Sequence, residues 1–482
     1  MNLPEQKTKI VATIGPASES QGVMEEMIKA GMNVARLNFS HGDFIGHRQT
    51  IDNLRTAARA VGRRIAIMAD MPGPKMRIGR LADEPVELLP GAFFTLTTQD
   101  MVGDAARASV SFARLPQAVK PGDILFLNDG YIQLEAVKVE GQEVACRILV
   151  GGELRSRKGL NLPGIDLGIS AFTEQDRKCL TFALEQGVDA VCQSFVESAA
   201  DIIAVREFAA ALGYNPFIIA KIERARALEH IDGILEAADG IMIARGDLGI
   251  EIPIEQIAIV QKRLMHSANI AGKPAITATQ MLESMTNNRR PTRAEATDVA
   301  NAVLDGTDCV MLSEESAMGK YPVEAIRMLV KIAAATEPHR SRHGLREALM
   351  THDRPGSTSV RDVIALSVEA AMVRISPAAV FVPTQSGATA WSIARFKLPV
   401  WIVGVSPQEA TCQRLLFAGG IYPECEPTLP EDWNVYVRKW VRTHELEGNF
   451  AILTEGPSSR HPEANNRMEI IGLSNKAKRE GT

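Results

Sequence analysis

Short apolar runs alternate with longer stretches of mixed polarity along the first two thirds of the chain. Each run is rich in β-branched residues and ends in Gly, Ser, Asp or Glu, and a stretch of helical periodicity follows it. Strands that alternate with helices form parallel sheets, because each crossover needs room for a helix. Eight such runs occur: KIVATIG from Lys9, NVARLNFS from Asn33, IAIMAD from Ile65, DAVCQSF from Asp189, FIIAKIE from Phe217, GIMIARGD from Gly240, PAITATQ from Pro274 and CVMLSEE from Cys309. They predict a (β/α)8 TIM barrel, in which functional side chains lie at the carboxyl ends of the strands.

The alternation of predicted strands and helices is interrupted once, between Asp70 and Gly168. Short runs of alternating polarity (ELLPGAFFTLTT, ILFLND, IQLEAVKVE and EVACRILV) and frequent Gly and Pro replace the helical stretches. This texture is typical of antiparallel β-structure. We therefore predict an all-β domain over 71–168, inserted into a barrel formed by 1–70 and 169–340. An insertion at this face of a barrel could act as a lid.

The segment 338–359 is polar and irregular, which favours a domain boundary there. Five further short strands follow it, separated by helical stretches: AVFVPTQSG, VWIVGVS, IYPECEP, FAILTEG and RMEIIGL. They predict a separate, doubly wound α/β domain over 355–482.

Composition narrows the functional classes. The chain has 482 residues and a net charge of −5, which argues against a broad nucleic-acid-binding face. No run is long and apolar enough to span a bilayer. The six cysteines are scattered without a CxxC pair, which argues against disulfides and a zinc site and favours a reducing compartment, the cytoplasm.

The fifth and sixth predicted strands end in charged residues. Lys221 and Glu223 are two positions apart and so share a face, and Asp247 follows the next strand. Two carboxylates there could hold one hard divalent cation and leave sites for substrate oxygens. Lys221 would then suit a phosphoryl or enolate oxygen. The alternative is a Lys221–Glu223 salt bridge that closes the barrel.

Other strand ends add polar groups to the same mouth. Arg36 could fork onto phosphate oxygens, and Asn38 and Ser40 share its face. Asp70 ends the third strand, and Thr279 lies at the end of the seventh. Each of these residues could instead be a cap or turn residue, but together they form the mixed-charge surface that phosphoryl transfer needs. The P-loop and GxGxxG motifs are absent, so a nucleotide would be held differently.

Seven stretches of the barrel region resemble pyruvate kinase, in that family's order: KIVATIGPAS, GMNVARLNFSHG, KGLNLPG, IIAKIE, IMIARGDLGIEIP, ITATQMLESM and PTRAEATDVANAVLDGTD. The resemblance implies a barrel with an inserted β-rich domain and an α/β C-terminal domain. It also implies transfer of the phosphoryl group of phosphoenolpyruvate to ADP, giving pyruvate and ATP in glycolysis, by a homotetramer.

By the same resemblance, Glu223 and Asp247 bind Mg²⁺ or Mn²⁺. Lys221 stabilises the transferring phosphoryl group and the enolate, and Arg36 contacts the phosphoryl group. The amides of Gly246 and Asp247 would receive the substrate carboxylate.

The resemblance assigns the remaining roles to residues at the edge of the mouth. Thr279 would lie near the face where the enolate is protonated. Arg77 and Lys158, together with Asn38, match ligands of the nucleotide.

The loop after the third strand departs from the family pattern. The residues that match the family's monovalent-cation site are Asn38, Ser40, Asp70 and Met71. Lys75 stands where potassium-dependent members usually have Glu. We expect its ammonium to replace the charge of that cation, so that potassium is not required. The alternative is a lysine that faces solvent and has no such role.

A loop of the C-terminal domain resembles the one that holds a sugar phosphate in regulated members of the family. The residues concerned are Thr384, Ser386, Gly387 and Thr389. Small residues before a helix suit anion binding, although an ordinary strand-to-helix turn has the same composition.

Two other functions are compatible with such a barrel. A magnesium-dependent aldolase could use a pyruvate enolate, although it would not need Arg77, Lys158 or a lid. A metabolite-sensing scaffold without activity would be expected to have a broken site. The residues expected of an intact site are nevertheless all present: Lys221, Glu223, Asp247 and Thr279.

Overall fold

The computed structural model describes residues 3–340, 345–347, 349, 359–456 and 465–473. Its strands are β1 (Lys9–Thr13), β2 (Val34–Asn38), β3 (Ala66–Asp70), β4 (Val86–Leu88), β5 (Phe93–Thr97), β6 (Arg107–Ser109), β7 (Ile124–Leu127), β8 (Ile132–Glu140), β9 (Glu143–Val150), β10 (Gly152–Leu154), β11 (Leu160–Asn161), β12 (Ala190–Gln193), β13 (Phe217–Ile222), β14 (Gly240–Ala244), β15 (Ala275–Ala278), β16 (Cys309–Leu312), β17 (Ala379–Pro383), β18 (Trp401–Ser406), β19 (Ile421–Cys425), β20 (Phe450–Glu455) and β21 (Arg467–Gly472).

The helices are α1 (Gln21–Ala30), α2 (Phe44–Val61), α3 (Leu115–Ala118), α4 (Glu174–Glu185), α5 (Ala199–Ala211), α6 (Ala225–Glu229), α7 (Ile231–Ala237), α8 (Arg245–Glu251), α9 (Ile257–Ala271), α10 (Arg293–Leu304), α11 (Glu314–Ala317), α12 (Pro322–Thr336), α13 (Val360–Arg374), α14 (Ala388–Ala394), α15 (Glu409–Leu415) and α16 (Trp433–Thr443). Short 3-10 turns cover Ile254–Gln256, Glu283–Thr286 and Glu337–His339. In the part of the chain described, no helix is both long and apolar enough to cross a membrane.

Eight parallel strands close into a barrel in the order β1-β2-β3-β12-β13-β14-β15-β16, with β16 pairing back to β1. These are the eight runs predicted from the sequence, and the TIM-barrel prediction is confirmed. Their side chains are almost all buried, because one face fills the barrel interior and the other packs on the helices. The carboxyl ends of these strands form one rim, called the barrel mouth below.

The chain between β3 and α4 forms two antiparallel-rich sheets, one of six strands (β11-β7-β8-β9-β5-β6) and one of two (β10-β4). They enclose a hydrophobic core of their own, which includes Phe94 and Leu134. A turn of this unit reaches the barrel, since a Cβ on Gly130 would lie 3.3 Å from the side chain of Ile250 in α8. The unit therefore stands over the barrel mouth, where a lid is expected. Its limits at 71 and 168 stay a prediction.

The C-terminal sheet has the order β19-β18-β17-β20-β21, with β21 antiparallel to its neighbour and the other pairs parallel. These are the five strands predicted, and helices flank them as in a doubly wound domain. Most of the boundary segment predicted at 338–359, including position 355, lies outside the described residues.

The C-terminal unit closes the bottom of the barrel. Leu416 and Phe417 join the cluster of side chains inside it, and the ring of Phe417 stacks 5.3 Å from that of Phe217 at the start of β13. Beside them, the buried Lys397 ammonium lies 2.6 Å from Asp308 Oδ1. A ring stacked inside a closed barrel excludes water from its base, so the mouth is the open end.

Candidate active site

Lys221 lies at the centre of the barrel mouth. Its side chain is almost fully buried, and its Nζ lies 2.8 Å from Glu223 Oε1 and 3.3 Å from Asp70 Oδ1. Burial alone would lower the pKa of Lys221, but the Asp70 and Glu223 carboxylates outweigh it and raise the pKa above its usual value. The lysine is therefore a fixed positive charge, and the Lys221–Glu223 salt bridge considered as the alternative to a metal site is present as an ion pair.

Arg36 projects from β2 into the same mouth. Its Nε and Nη2 lie 2.7 and 2.6 Å from Asp70 Oδ2, and its Nη1 donates to Thr13 Oγ1 at 2.8 Å. Burial would raise the pKa of Asp70, but the neighbouring Lys221 and Arg36 cations lower it. Asp70 thus holds two cations side by side, and their other donors can turn toward an anion.

Ser194 is a functional candidate that the sequence analysis missed. This residue follows β12, is buried, accepts a hydrogen bond from Lys221 Nζ at 2.8 Å and donates one to the carbonyl oxygen of Met71 at 2.7 Å. It therefore links the catalytic candidate to the loop after β3. The only signal in the sequence was its place at the end of the run DAVCQSF, and a serine there also reads as a turn residue.

The two predicted metal ligands lie just past their strands. Glu223 follows β13, and its Oε2 accepts from the Phe195 amide at 2.7 Å. Asp247 lies in the first turn of α8, where burial and then the Glu223 carboxylate raise its pKa to about 6. Two carboxylates that repel each other in this way fit a hard divalent cation, which would relieve the repulsion. Among the described residues, no group of three or more His, Cys, Asp or Glu side chains could hold a metal, so substrate or water would complete the shell.

Thr279 is held in a strained conformation beside α8. Its φ is +68°, a value that a β-branched residue rarely adopts. The Thr279 hydroxyl accepts from the Gly246 amide at 2.8 Å and donates to the Ala278 carbonyl at 2.6 Å. The Gly246 amide that the resemblance assigns to the substrate carboxylate is thus engaged with Thr279 here, and a carboxylate would have to share it.

Among the residues that the resemblance assigns to the monovalent-cation site, Asn38 lies opposite Asp70 in the register of β2 and β3. Asn38 Oδ1 accepts from the Ser40 amide at 3.1 Å. The ion pairs of Asp70 are with Arg36 and Lys221, and Lys75 is not among them.

Lys75 lines a cleft between the mouth and the inserted unit. The residue as a whole is exposed, as the alternative of a lysine that faces solvent requires. Burial and then the Lys221 ammonium lower its pKa, whereas the Asp70 carboxylate acts in the opposite direction. The charges of Lys221 and Asp70 therefore shift the pKa of Lys75, although Lys75 forms no salt bridge with any of the described residues.

The same cleft has a volume of about 100 Å³ and includes Arg77, Asp129, Asn161 and Asp247 in its walls. Arg77 Nη1 donates to the Arg157 carbonyl at 2.9 Å, which holds this exposed side chain next to Lys158. The inserted unit thus brings Arg77 to the edge of the mouth, and Lys158 precedes Gly159 in the wall of the same cleft.

The C-terminal loop lies away from the mouth. Gly387 has a φ of +87°, and its amide donates to Thr384 Oγ1 at 2.9 Å, while the Ala388 amide donates to Ser386 Oγ at 3.4 Å. These are the contacts of a strand-to-helix turn. The loop's assignment to an effector, which also includes Thr389, stays a prediction.

The comparisons with known proteins agree with this geometry. The family model "Pyruvate kinase, barrel domain" matches residues 5–326, and "Pyruvate kinase, alpha/beta domain" matches residues 362–471. The pyruvate kinase of Thermococcus litoralis is 48% identical over 98% of this chain and 100% of its own length. That of Geobacillus stearothermophilus is 41% identical over 98% of this chain and 81% of its own. A crystal structure of a pyruvate kinase from Cryptosporidium parvum superposes with a TM-score of 0.91 at 34% identity, covering 98% of this chain and 97% of that one. The aldolase and sensor alternatives find no support, and the chain belongs to the pyruvate kinase family.

Proposed function

We propose that this chain transfers the phosphoryl group of phosphoenolpyruvate to ADP, with Lys221, Arg36 and Thr279 as its catalytic residues. The observation that carries the proposal is the Lys221 ammonium, fixed between Asp70, Glu223 and Ser194 in a mouth that also holds Arg36. Phosphoryl transfer needs alignment and neutralised charge more than covalent chemistry. Two buried cations at one anion-sized opening supply both.

The reaction balances with these groups. The bond between phosphorus and the enol oxygen breaks while a terminal oxygen of ADP bonds to phosphorus, and the electron pair stays on the enol oxygen. Lys221 is placed to stabilise that enolate and the phosphoryl group in transit, and Arg36 to orient the phosphoryl oxygens. The enolate then takes a proton on its methylene carbon, giving pyruvate. Thr279 would lie near the face from which water delivers that proton.

Glu223 and Asp247 would hold Mg²⁺ or Mn²⁺. That ion would neutralise charge on the substrate oxygens when bound. The chain prepares this pair by fixing Glu223 through the Phe195 amide and by setting Asp247 at the start of α8. The Gly246 and Asp247 amides at the same helix start suit the substrate carboxylate.

The nucleotide would lie in the cleft under the inserted unit, against Arg77 and Lys158, with Asn38 at its inner end. Arg77 and Lys158 belong to the inserted unit, so closure of that unit would bring them toward the mouth. The limits 71–168 for the unit and 355–482 for the C-terminal domain are part of this proposal.

Potassium is proposed not to be required. The resemblance assigns the family's monovalent-cation position to Asn38, Ser40, Asp70 and Met71, and the Asp70 carboxylate there already pairs with the Arg36 and Lys221 cations. The Lys75 ammonium adds a third positive charge at the edge of the mouth.

The chain is proposed to act in the cytoplasm, to assemble as a homotetramer, and to respond to a sugar phosphate at the loop of Thr384, Ser386, Gly387 and Thr389. A Ser386→Glu variant tests the last of these, because an added carboxylate should repel a phosphate there. Thermal shifts with sugar phosphates that survive the substitution would exclude the loop.

The main test measures pyruvate formation from phosphoenolpyruvate, ADP and Mg²⁺ in buffer free of sodium and potassium, before and after potassium is added. Rapid turnover before the addition is expected. Turnover only after it would keep the kinase and reject the role of Lys75. No turnover in either condition, from folded protein with candidate effectors present, would reject the function. Lys221→Gln is the matched variant, and full activity in it would reject the assignment of Lys221.

A further inference from the structure

A cluster of charged residues joins the inserted unit to the barrel beside the mouth, and none of them has a role in the reaction proposed above. The cluster lies where the chain returns from β11 to α4, a stretch of residues 162–173 called the return segment below. The members of the cluster are Asp166, Arg226, Glu197, Arg224 and Glu251. Asp166 belongs to the return segment, and the other four residues belong to the barrel. The charges alternate along the cluster, so each arginine contacts two carboxylates.

The ion pairs form one continuous path from the return segment to α8. Arg226 Nη1 lies 3.1 Å from Asp166 Oδ2 and 3.1 Å from Glu197 Oε2. Arg224 Nε lies 3.4 Å from Glu197 Oε1 and 3.6 Å from Glu251 Oε2. An isolated ion pair on the surface restrains a structure little, whereas a network built on a buried, planar guanidinium holds its geometry. Arg224, which is only 3% exposed, is the buried arginine of this network.

Arg224 also contacts the backbone of the return segment. Its Nη2 donates to the Ile165 carbonyl at 3.1 Å. Burial raises the pKa of Glu251, and the Arg224 cation and the Gly164 amide are among the groups that lower it. Arg224 and Glu251 therefore face two consecutive residues of the return segment, and the barrel holds this segment by its backbone as well as by Asp166.

Two atoms at this contact are buried without a hydrogen-bond partner among the described residues, Arg224 Nε and Glu251 Oε1. The distances from Arg224 Nε to its two carboxylates are longer than an ordinary hydrogen bond. A buried polar atom without a partner is costly, so a small movement that shortens these distances is favourable. Because Gly164 and Ile165 face the same two side chains, that movement also displaces the inserted unit.

A cavity beside the cluster leaves room for such a movement. It has a volume of about 190 Å³, and its walls include Pro74 and Leu167 together with Phe195 and Arg224 of the barrel. Pro74 and Leu167 lie on the two different connections between the barrel and the inserted unit. Both connections thus border one space, which is the arrangement expected of a hinge.

We propose that Arg224 is a positioning residue, which holds the inserted unit in the orientation that binds ADP. The inference rests on the proposed function, in which Arg77 and Lys158 of the inserted unit contact the nucleotide. Rotation of the inserted unit toward the mouth brings these two ligands onto ADP, and the same rotation completes the contacts of Arg224 with the return segment. Phosphoenolpyruvate is held by residues of the barrel, so its binding does not depend on that orientation.

Steady-state kinetics on the full chain with Mg²⁺ tests the role of Arg224. Arg224→Gln should raise the KM for ADP tenfold or more and leave the KM for phosphoenolpyruvate within twofold of the wild type. Arg224→Lys keeps a positive charge between Glu197 and Glu251 but replaces the planar fork by a point charge. It should still raise the KM for ADP severalfold, because the bond to the Ile165 carbonyl is lost.

Two further variants separate positioning from other effects. Arg224 also borders the cleft proposed for the nucleotide, whereas Asp166 is not in the walls of that cleft. Asp166→Asn, at an exposed position, should nevertheless raise the KM for ADP about threefold. Arg206→Gln is the matched control, because Arg206 likewise joins a carboxylate and a carbonyl, those of Asp239 and Ala237, but at the amino ends of the barrel strands. It should leave both KM values unchanged.

Hydrogen–deuterium exchange gives a readout that does not depend on turnover. Arg224→Gln should accelerate exchange in residues 162–169 tenfold or more, while exchange in β17 and β18 of the C-terminal unit stays at the wild-type rate. A variant that merely loosens the whole protein would accelerate exchange in both places. Unchanged exchange in residues 162–169 would overturn the proposal.

The kinetic outcomes decide the remaining alternatives. An unchanged KM for ADP in Arg224→Gln, with an active wild type, overturns this inference and leaves the proposed function intact. Equal rises in the KM for both substrates overturn it too, since Arg224 would then act through the adjacent Glu223. A raised KM in Arg224→Gln with a wild-type KM in Asp166→Asn would assign Arg224 to direct contact with the nucleotide and reject positioning. If Arg224→Gln does not fold, Arg224→Lys and Asp166→Asn decide by the same criteria. An inactive wild type rejects the proposed function, and the exchange rates then decide whether Arg224 holds the return segment.

Discussion

Replacing Ser194 by alanine should slow the reaction without unfolding the protein. The substitution removes one buried oxygen that accepts from Lys221 Nζ at 2.8 Å and donates to the Met71 carbonyl at 2.7 Å. Lys221 keeps its contacts with Glu223 and Asp70, so it stays charged. Activity should therefore fall because the ammonium is less well positioned. It becomes free to move toward the Asp70 or Glu223 carboxylate and away from the substrate.

The size of the effect follows from the type of bond. A hydrogen bond to a charged group contributes about 1.5–3 kcal/mol. If Lys221 uses that restraint fully in the transition state, kcat falls by about 10- to 150-fold, since each 1.36 kcal/mol is a factor of ten in rate. The KM for phosphoenolpyruvate should change much less, because Arg36 still binds the substrate in the ground state.

Steady-state kinetics of pyruvate formation separates these quantities, and circular dichroism checks the fold. Ser109→Ala is the matched control, because Ser109 is a buried serine of the inserted unit whose hydroxyl donates to the Met101 carbonyl at 2.9 Å, far from Lys221. A kcat within twofold of the wild type in Ser194→Ala would refute the reasoning. An equal loss in Ser109→Ala would attribute the effect to general destabilisation.

Four further changes have defined outcomes. Glu223→Gln should lower kcat/KM by at least ~100-fold, since loss of a metal ligand should exceed the loss of an outer-shell partner, and activity within tenfold of wild type would contradict it. Lys75→Glu should make turnover depend on added potassium; turnover that remains independent of potassium would remove Lys75 from the cation role. Burial raises the pKa of Asp189 to about 6, so its ionisation destabilises the fold as pH rises from about 4 past 6. Asp189→Asn should therefore stabilise the protein by about 1.4 kcal/mol more at pH 8 than at pH 5, since one pKa unit corresponds to about 1.4 kcal/mol, and an equal change in the free energy of unfolding at both pH values would be inconsistent with that pKa. Phe417→Ala should destabilise the protein by about 3–5 kcal/mol, as for other buried aromatic truncations, measurable by denaturant unfolding, and a loss below about 1 kcal/mol would mean that the base repacks.

The barrel could be predicted from the sequence because each of its strands is a local signal. A run such as that of β13 is apolar and β-branched on both faces, which few other structures tolerate. The carboxyl ends of parallel barrel strands meet at one rim irrespective of the loop conformations. Lys221, Glu223 and Asp247 could therefore be expected to lie close together. The five strands of the C-terminal sheet were predictable for the same reason.

Contacts that depend on strand register could not be predicted. Ser194 reaches Lys221 because β12 pairs with β13 so that Gln193 lies opposite Ala220, one residue before the lysine. That offset is set by the whole closed barrel, and nothing within the run DAVCQSF encodes it. The engagement of the Gly246 amide by Thr279 is similar, since it requires the left-handed turn after β15 as well as the start of α8.

Phe417 illustrates the same limit for packing, and it connects the two ends of the barrel. In sequence it is one apolar residue after a short helix, and its partner Phe217 is some two hundred positions away. In the fold, Phe217, Ile219 and Lys221 alternate along β13 and so point to the same interior. Phe417 stacks on the first of these residues, and the reaction is proposed at the third.

A densely packed interior transmits a displacement instead of absorbing it, so a shift of the C-terminal unit at the base would move the strand that carries the lysine. The truncation of Phe417 should therefore lower kcat as well as stability, whereas a surface change that destabilises the C-terminal unit equally without touching the barrel interior should lower stability alone.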